Sequence, residues 1–206
     1  ALFHDFKSSP SAFTAGCQIA VASSNDYCAA ERAFTHAGEP SNGRYWLTAL
    51  LAASNRLDAL RLVDRAAAAD HTAPTSTVSL LHTTDYFRNR QWPQFEGTDF
   101  DLRLLGGACT GRIEDADWVA GRTNLLGYVA GNAFIYNLDL NHFLPGAFGH
   151  HLTSFGGFLL DAGSQMSALD WIHHGCAGTY GTVVEPCAYP EKFPRTQLHY
   201  WYARGF

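Results

Sequence analysis

Short apolar runs recur along this chain at intervals that leave room for a helix or a loop between them. They are RYWLTALLAA (44–53), TVSLLHTTD (77–85), NLLGYVAGN (124–132), HLTSFGGFLL (151–160) and AGTYGTVVEP (177–186). None approaches the roughly 20 residues of a membrane span, and each suits a buried strand. Between them, SNRLDALRLVDRAAAAD (54–70) has a helical period: Leu57, Leu60, Val63 and Ala67 share one face, and Ser54 or Asn55 can cap the start. IEDADWVAGR (113–122) predicts a short acidic helix. SQMSALDWIHHG (164–175) predicts another, with Met166, Leu169, Trp171 and Ile172 on its apolar side and Gly175 ending it. In YFRNRQWPQFEGTDFDL (86–102), Pro93 and Gly97 break any helix. Alternation of this kind predicts a three-layer α/β fold, a mostly parallel sheet with helices on both faces. The expected organisation is one domain over 1–206, with 1–44 irregular and loop-rich and 45–206 forming the core.

Composition narrows the function. A hydrophobic fraction of 47% fills a core, and a charged fraction of 16% leaves few residues to solvate a surface. That fits a chain that buries part of its surface against other protein chains. A net charge of −5 argues against nucleic acid, which requires a basic face. The chain opens on Ala-Leu-Phe without a signal-like start, which is expected of a processed, trimmed or partly observed chain. Cys17, Cys28, Cys109, Cys176 and Cys187 form no CxxC, so no zinc site is expected. Their number suggests one or two disulfides plus a spare thiol in an exported protein, periplasmic or extracellular. Cys17 and Cys28 are the easiest pair to close, and Cys109 or Cys187 is the expected partner of Cys176. Reduced thiols in a cytosolic protein are the alternative. Asp99 and Asp101 lack the rest of a calcium loop, and the glycine pairs 106–107 and 156–157 lack a nucleotide-loop context. No metal or cofactor is expected.

In a parallel sheet the site lies beyond the carboxyl ends of the strands. That rule brings Asn132, Ser154 to Gly157 and Glu185 toward one edge. His150 and His151 point to opposite faces of a strand, which also separates His151 from Ser154 and weakens it as a base for that hydroxyl. Cys176 follows Gly175 at a strand entry, with His173, His174 and His151 as neighbours that would favour a thiolate. His173 and His174, at a helix C-terminus, suit free carbonyls. Glu185 ends an apolar run and should need an ion-pair partner, Arg44, Arg56, Lys192 or Arg195. The double glycine 156–157 lets another segment approach closely. The tail YPEKFPRTQLHYWYARGF (189–206) is rich in aromatics and arginine, as docking surfaces are.

From Phe143 to Pro194 the words FLPGAFGHHLTSFGG, QMS, GTYGTVVEPC and KFP resemble an uncharacterised bacterial protein family. The resemblance implies a longer parent chain, with more α/β structure ahead of position 1 and a further stretch after Phe206. It also implies a small residue at position 176. The strand–helix–strand order is more distantly similar to caspase-like and gingipain-like cysteine peptidases, and the expected strand order is caspase-like or flavodoxin-like. There one strand ends in a histidine and the next in a nucleophilic cysteine. Here Asn132 stands at the first position and Ser154 at the second. The expected function is therefore a non-catalytic structural or accessory subunit, assembled with other chains or with the remainder of its own. The alternative is a peptidase-like hydrolase using Cys176 or Ser154 with His151.

Overall fold

The computed structural model describes residues 51–70, 72–159, 163–183 and 185–204. Its elements in chain order are α1 (Arg56–Ala69), β1 (Ser76–His82), a 3-10 turn (Trp92–Gln94) running into α2 (Phe95–Arg103), β2 (Cys109–Asp115), β3 (Leu125–Ala130), β4 (Phe143–His151), α3 (Ala168–His173), β5 (Gly178–Tyr180) and α4 (Leu198–Ala203). The strands form one all-parallel sheet in the order β2-β1-β3-β4-β5. β2 is laid on one side of β1 and β3 on the other, so the connections change direction at β1/β3. This is a three-layer α/β fold.

Alternate residues of the same strands feed two cores. Leu81, Tyr128, Ala147 and Cys176 meet Trp171 of α3 on one face. Val78, Leu80 and Val129 meet Phe95 and Leu102 of α2, with Tyr200 and Tyr202 of α4 against them, on the other. All six residues of β3 are buried, as expected of a central strand covered on both sides. Trp171 and Tyr128, both fully buried, pack at a ring separation of 5.1 Å. Each such burial is worth about 2–3 kcal/mol. Ser167 caps α3 with a reciprocal pair: its hydroxyl accepts from Leu169 N–H, and its own N–H donates to Asp170.

Several local expectations are corrected. α1 forms where its period places it and Asn55 caps it, the side chain accepting from Asp58 N–H (3.0 Å). Its apolar stripe, however, faces outward: Leu57, Leu60 and Val63 are half-exposed, while Asp58 and Leu62 are buried. The helix is anchored by polar side chains. Arg65 donates to the carbonyls of Ile172 (2.7 Å) and Cys176 (2.9 Å), and Asp58 accepts from His173 (2.8 Å). α2 runs through Gly97, with Pro93 in the 3-10 turn before it. Proline is tolerated in a first turn, and the roughly 1 kcal/mol cost of a helical glycine is outweighed by burial of Phe95 and Leu102. Residues 113–122 form no helix, because Ile113 to Asp115 complete β2 and 116–124 return as coil. The strand expected at 151–160 ends at His151, and only Gly178–Tyr180 of the last run is strand. Residues 51–53 have no regular structure, and the rest of the first run and the 1–44 segment lie outside the described residues.

Candidate functional site

The carboxyl edge of the sheet carries two clefts. The smaller, about 230 Å³, is lined by Phe87, Arg88, Thr153, Ser154, Glu185 and Ala188, among others. Ser154 and Glu185 therefore line one cleft, while Asn132, Gly156 and Gly157 of the expected group do not line it. Arg88 is held by Asp85 (2.7 Å) and reaches Thr153 Oγ1 (3.3 Å), whose hydroxyl donates to Gln165 (2.6 Å). Glu185 is exposed rather than buried, and its carboxylate accepts from the N–H of Cys187 (2.8 Å). The expected burial of Glu185 is not seen, because the residue is exposed; its charge acts on Lys192, one of the expected partners, while Arg44 lies outside the described residues. Cys187 and Ala188 follow with φ of 57° and 58°. Two consecutive L-residues in the left-handed region cost on the order of 1 kcal/mol or more each, and such strain collects at functional lips.

The larger cleft, about 400 Å³, lies beyond β1, beside the point where the strand order reverses, the usual place for a site in such sheets. His82 ends β1, and its register partner on β2 is Asp115. The imidazole donates from Nδ1 to the Asp115 carboxylate (2.7 Å), which fixes its tautomer and leaves Nε2 without a hydrogen bond among the described residues. Trp92 packs on the ring at 4.8 Å, and Arg90 lies over Tyr86 at 4.7 Å. Asp117 accepts from both the N–H and the hydroxyl of Thr84 (2.7 and 2.9 Å). Sequence reasoning missed this group. The 33-position separation of His82 and Asp115 means nothing until two parallel strands are placed in register.

The segments leaving β1, β2, β3 and β4 also carry large exposed aromatic side chains. Tyr86 and Phe87 are 71% and 68% exposed, and Trp92, Trp118, Phe134, Tyr136 and Phe158 are exposed as well. Tyr86 meets Phe87, and Tyr136 meets both Trp118 and Phe134, so the exposed rings form local clusters.

The other predicted residues are spent on structure. His150 and His151 do point to opposite faces. His151 is buried, its Nδ1 accepting from the indole N–H of Trp171 (2.9 Å) and its Nε2–H donating to the carbonyl of Met166 (3.1 Å). Both nitrogens are committed to these two hydrogen bonds, and burial pulls the pKa down to about 4. Cys176 is completely buried, and burial pushes its thiol far above its ordinary value. The expected pairing of Cys176 with Cys109 does not occur: both are free thiols, in the cores on opposite faces of the sheet. Cys176 being free also excludes its pairing with Cys187. Cys17 and Cys28 lie outside the described residues. His174 caps the carbonyl of Asp170 (2.7 Å), while His173 goes to Asp58 instead. Asn132 binds its own loop, accepting from Ala133 N–H (2.8 Å). The double glycine does admit a second segment, since Gly157 packs directly on the backbone of Gly181. Among the described residues, no three metal-ligating side chains converge, and no helix is long and apolar enough to cross a membrane. Comparison with protein-family models, with curated proteins and with solved structures finds no match.

Proposed function

We propose that this domain is a non-catalytic accessory subunit that holds a protein partner against the carboxyl edge of its sheet. The observation that carries the reading is the exposed aromatic side chains on the segments leaving four of the five strands, with Arg88 and Arg90 among them. Tyrosine, tryptophan, phenylalanine and arginine are the residues that protein interfaces concentrate, and apolar exposure on this scale is costly without a partner. The commitment of His151 and Cys176 to the core supports the same reading. The test is the native mass of the chain in its producing cell, compared with a Y86A/F87A/Y136A variant. Wild type should run in a complex larger than its own 22.6 kDa, and the variant should not. Equal migration of the two refutes the proposal.

A second reading, hydrolysis, is favoured by His82 alone. Held by Asp115 at the mouth of the larger cleft, its Nε2 would take a proton from water as that water adds to an acyl carbonyl. Hydrolysis of p-nitrophenyl acetate by the wild type but not by H82Q would select this reading over the first.

A further inference from the structure

Two buried imidazoles lie at the junction between the aromatic edge and the C-terminal helix. His150, next to last in β4, donates from Nε2 to Gln91 Oε1 (3.1 Å). The orientation of Gln91 is set by its own amide, which donates to the carbonyl of Pro194 (2.7 Å). The tautomer of His150 is thereby fixed, and its Nδ1 is a buried acceptor with no partner. His199 of α4 lies parallel to it, ring centroids 6.2 Å apart and planes 7° apart, and its Nε2 is also without a partner. Phe148 packs edge-on against both rings, and His199 seats over Gly127, where any Cβ would collide with it. Both rings are at least 99% buried.

The segment carrying His199 is tied to the loop that carries Tyr86, Phe87 and Trp92. Besides the Gln91 bond to Pro194, Gln94 accepts from Thr196 N–H (3.1 Å), and the hydroxyls of Thr98 and Thr196 share a hydrogen bond (2.6 Å). We propose that His150 and His199 form an acid-sensitive latch: protonating them releases α4 from the sheet and, through Gln91 and Gln94, loosens the aromatic loop. The consequence for partner binding rests on the reading above; the latch does not.

The direction follows from the surroundings. A proton on His150 must sit on Nδ1, where no acceptor waits, and a second on His199 places two like charges in parallel rings away from water. Titratable groups on the packed elements offer no compensation. They are Tyr180 on β5, Cys109 on β2, Tyr200 and Tyr202 on α4, His151 turned to the other face, and Asp99 on α2. Asp99 Oδ2 is paired with Arg103 (2.6 Å), and its buried, unpartnered Oδ1 packs over Gly111 of the outer strand β2 rather than over β3 or β4. Burial holds His199 down to about 4 and His150 well below its ordinary value, and a charge on His150 is opposed further by His199 and His151. Water reaches Nδ1 of His150 most easily by displacement of α4, because β4 itself is fixed between β3 and β5.

The test is amide hydrogen exchange of the full chain at pH 7.5 and 5.5, corrected for intrinsic rates. Residues 88–98 and 193–204 should lose at least tenfold protection at the lower pH and be at least tenfold less protected there than β3. An H150Q/H199Q variant should abolish this difference. Because replacing both rings risks misfolding, exchange at histidine C2 in the wild type gives a second check, and both rings should titrate below 6. Protection unchanged with pH, protection of these segments equal to that of β3 at pH 5.5, a variant that keeps the pH response, or ordinary titration of either ring would each overturn the latch. No partner enters these measurements, so they stand or fall separately from the native-mass comparison.

Discussion

Gly157→Ala probes the backbone contact that the double glycine permits. An alanine Cβ at this position would stand 2.5 Å from the carbonyl oxygen of Gly181 and 2.8 Å from its carbon. A carbon–oxygen contact settles at about 3.3–3.6 Å, so the segments must part by roughly 1 Å. Parting them strains the bond from Gly157 N–H to Thr182 O (2.9 Å). It also pulls the Thr182 hydroxyl away from the carbonyls of Thr153 and Ser154, both at 2.8 Å. Each lost buried hydrogen bond costs about 1 kcal/mol, and overpacking strain adds about 1–3 kcal/mol where the backbone does not move freely. The stiffer unfolded chain returns about 0.4–1 kcal/mol. The expected loss is about 3 kcal/mol, or roughly 6–12 °C in Tm for a chain of this length. Gly156→Ala is the control. Its Cβ first meets the methyl of Thr153 at 3.1 Å, which yields by a few tenths of an ångström, so the loss should stay below about 1 kcal/mol. Guanidinium unfolding followed by tryptophan fluorescence reads both. If the two variants unfold within about 0.5 kcal/mol of each other, the Gly157–Gly181 contact constrains nothing and the reasoning fails.

Three further outcomes are expected. His151 has a folded pKa near 4 against an ordinary 6.5, so the unfolded chain binds the extra proton. Its contribution is complete above pH 6.5 and is lost as the pH falls toward 4, about 2 kcal/mol by pH 5, with a similar loss from His199. A urea midpoint unchanged between pH 7.5 and 5 would contradict this. Arg65→Met removes the donor to the carbonyls of Ile172 and Cys176 and should cost about 2–3 kcal/mol, read by thermal unfolding. Cys109 and Cys176 should ignore an aromatic disulfide reagent in the native state and react once denatured, since burial raises both thiols; native-state labelling of either would be evidence against the two cores.

The sequence carried the fold class because the burial of β1 and β3 is written into their composition, and the strand parity of His150 and His151 into their adjacency. It carried α1 and its Asn55 cap as well, but not which way that helix faces. The stripe of Leu57, Leu60 and Val63 obeys the helical period, yet the contacts of Asp58 and Arg65 with α3 decide the orientation, and no local pattern encodes them. α2 was hidden by its proline and glycine, whose local cost is smaller than the tertiary gain from Phe95 and Leu102. β2 was hidden by its polarity, because an edge strand needs little apolar surface and Ile-Glu-Asp-Ala-Asp reads equally well as a helix start. The site was legible only by rule: the carboxyl edge could be named, and Ser154 and Glu185 with it. His82 and Asp115 required the β1–β2 register, and the His150–His199 pair required α4 to fold back across the sheet.

The two outer strands also limit how this domain can associate. β2 presents Arg112 and Glu114, tied at 3.2 Å and joined by Arg122 at 2.6 Å, so a foreign strand would have to displace a braced row of charge. At the opposite border β5 offers three residues, too few for a durable ladder. Growth by strand addition, the route to fibrils and swapped dimers, is thereby obstructed at both ends. Among the described residues, the surfaces left for association are side chains on loops and helices rather than a strand edge.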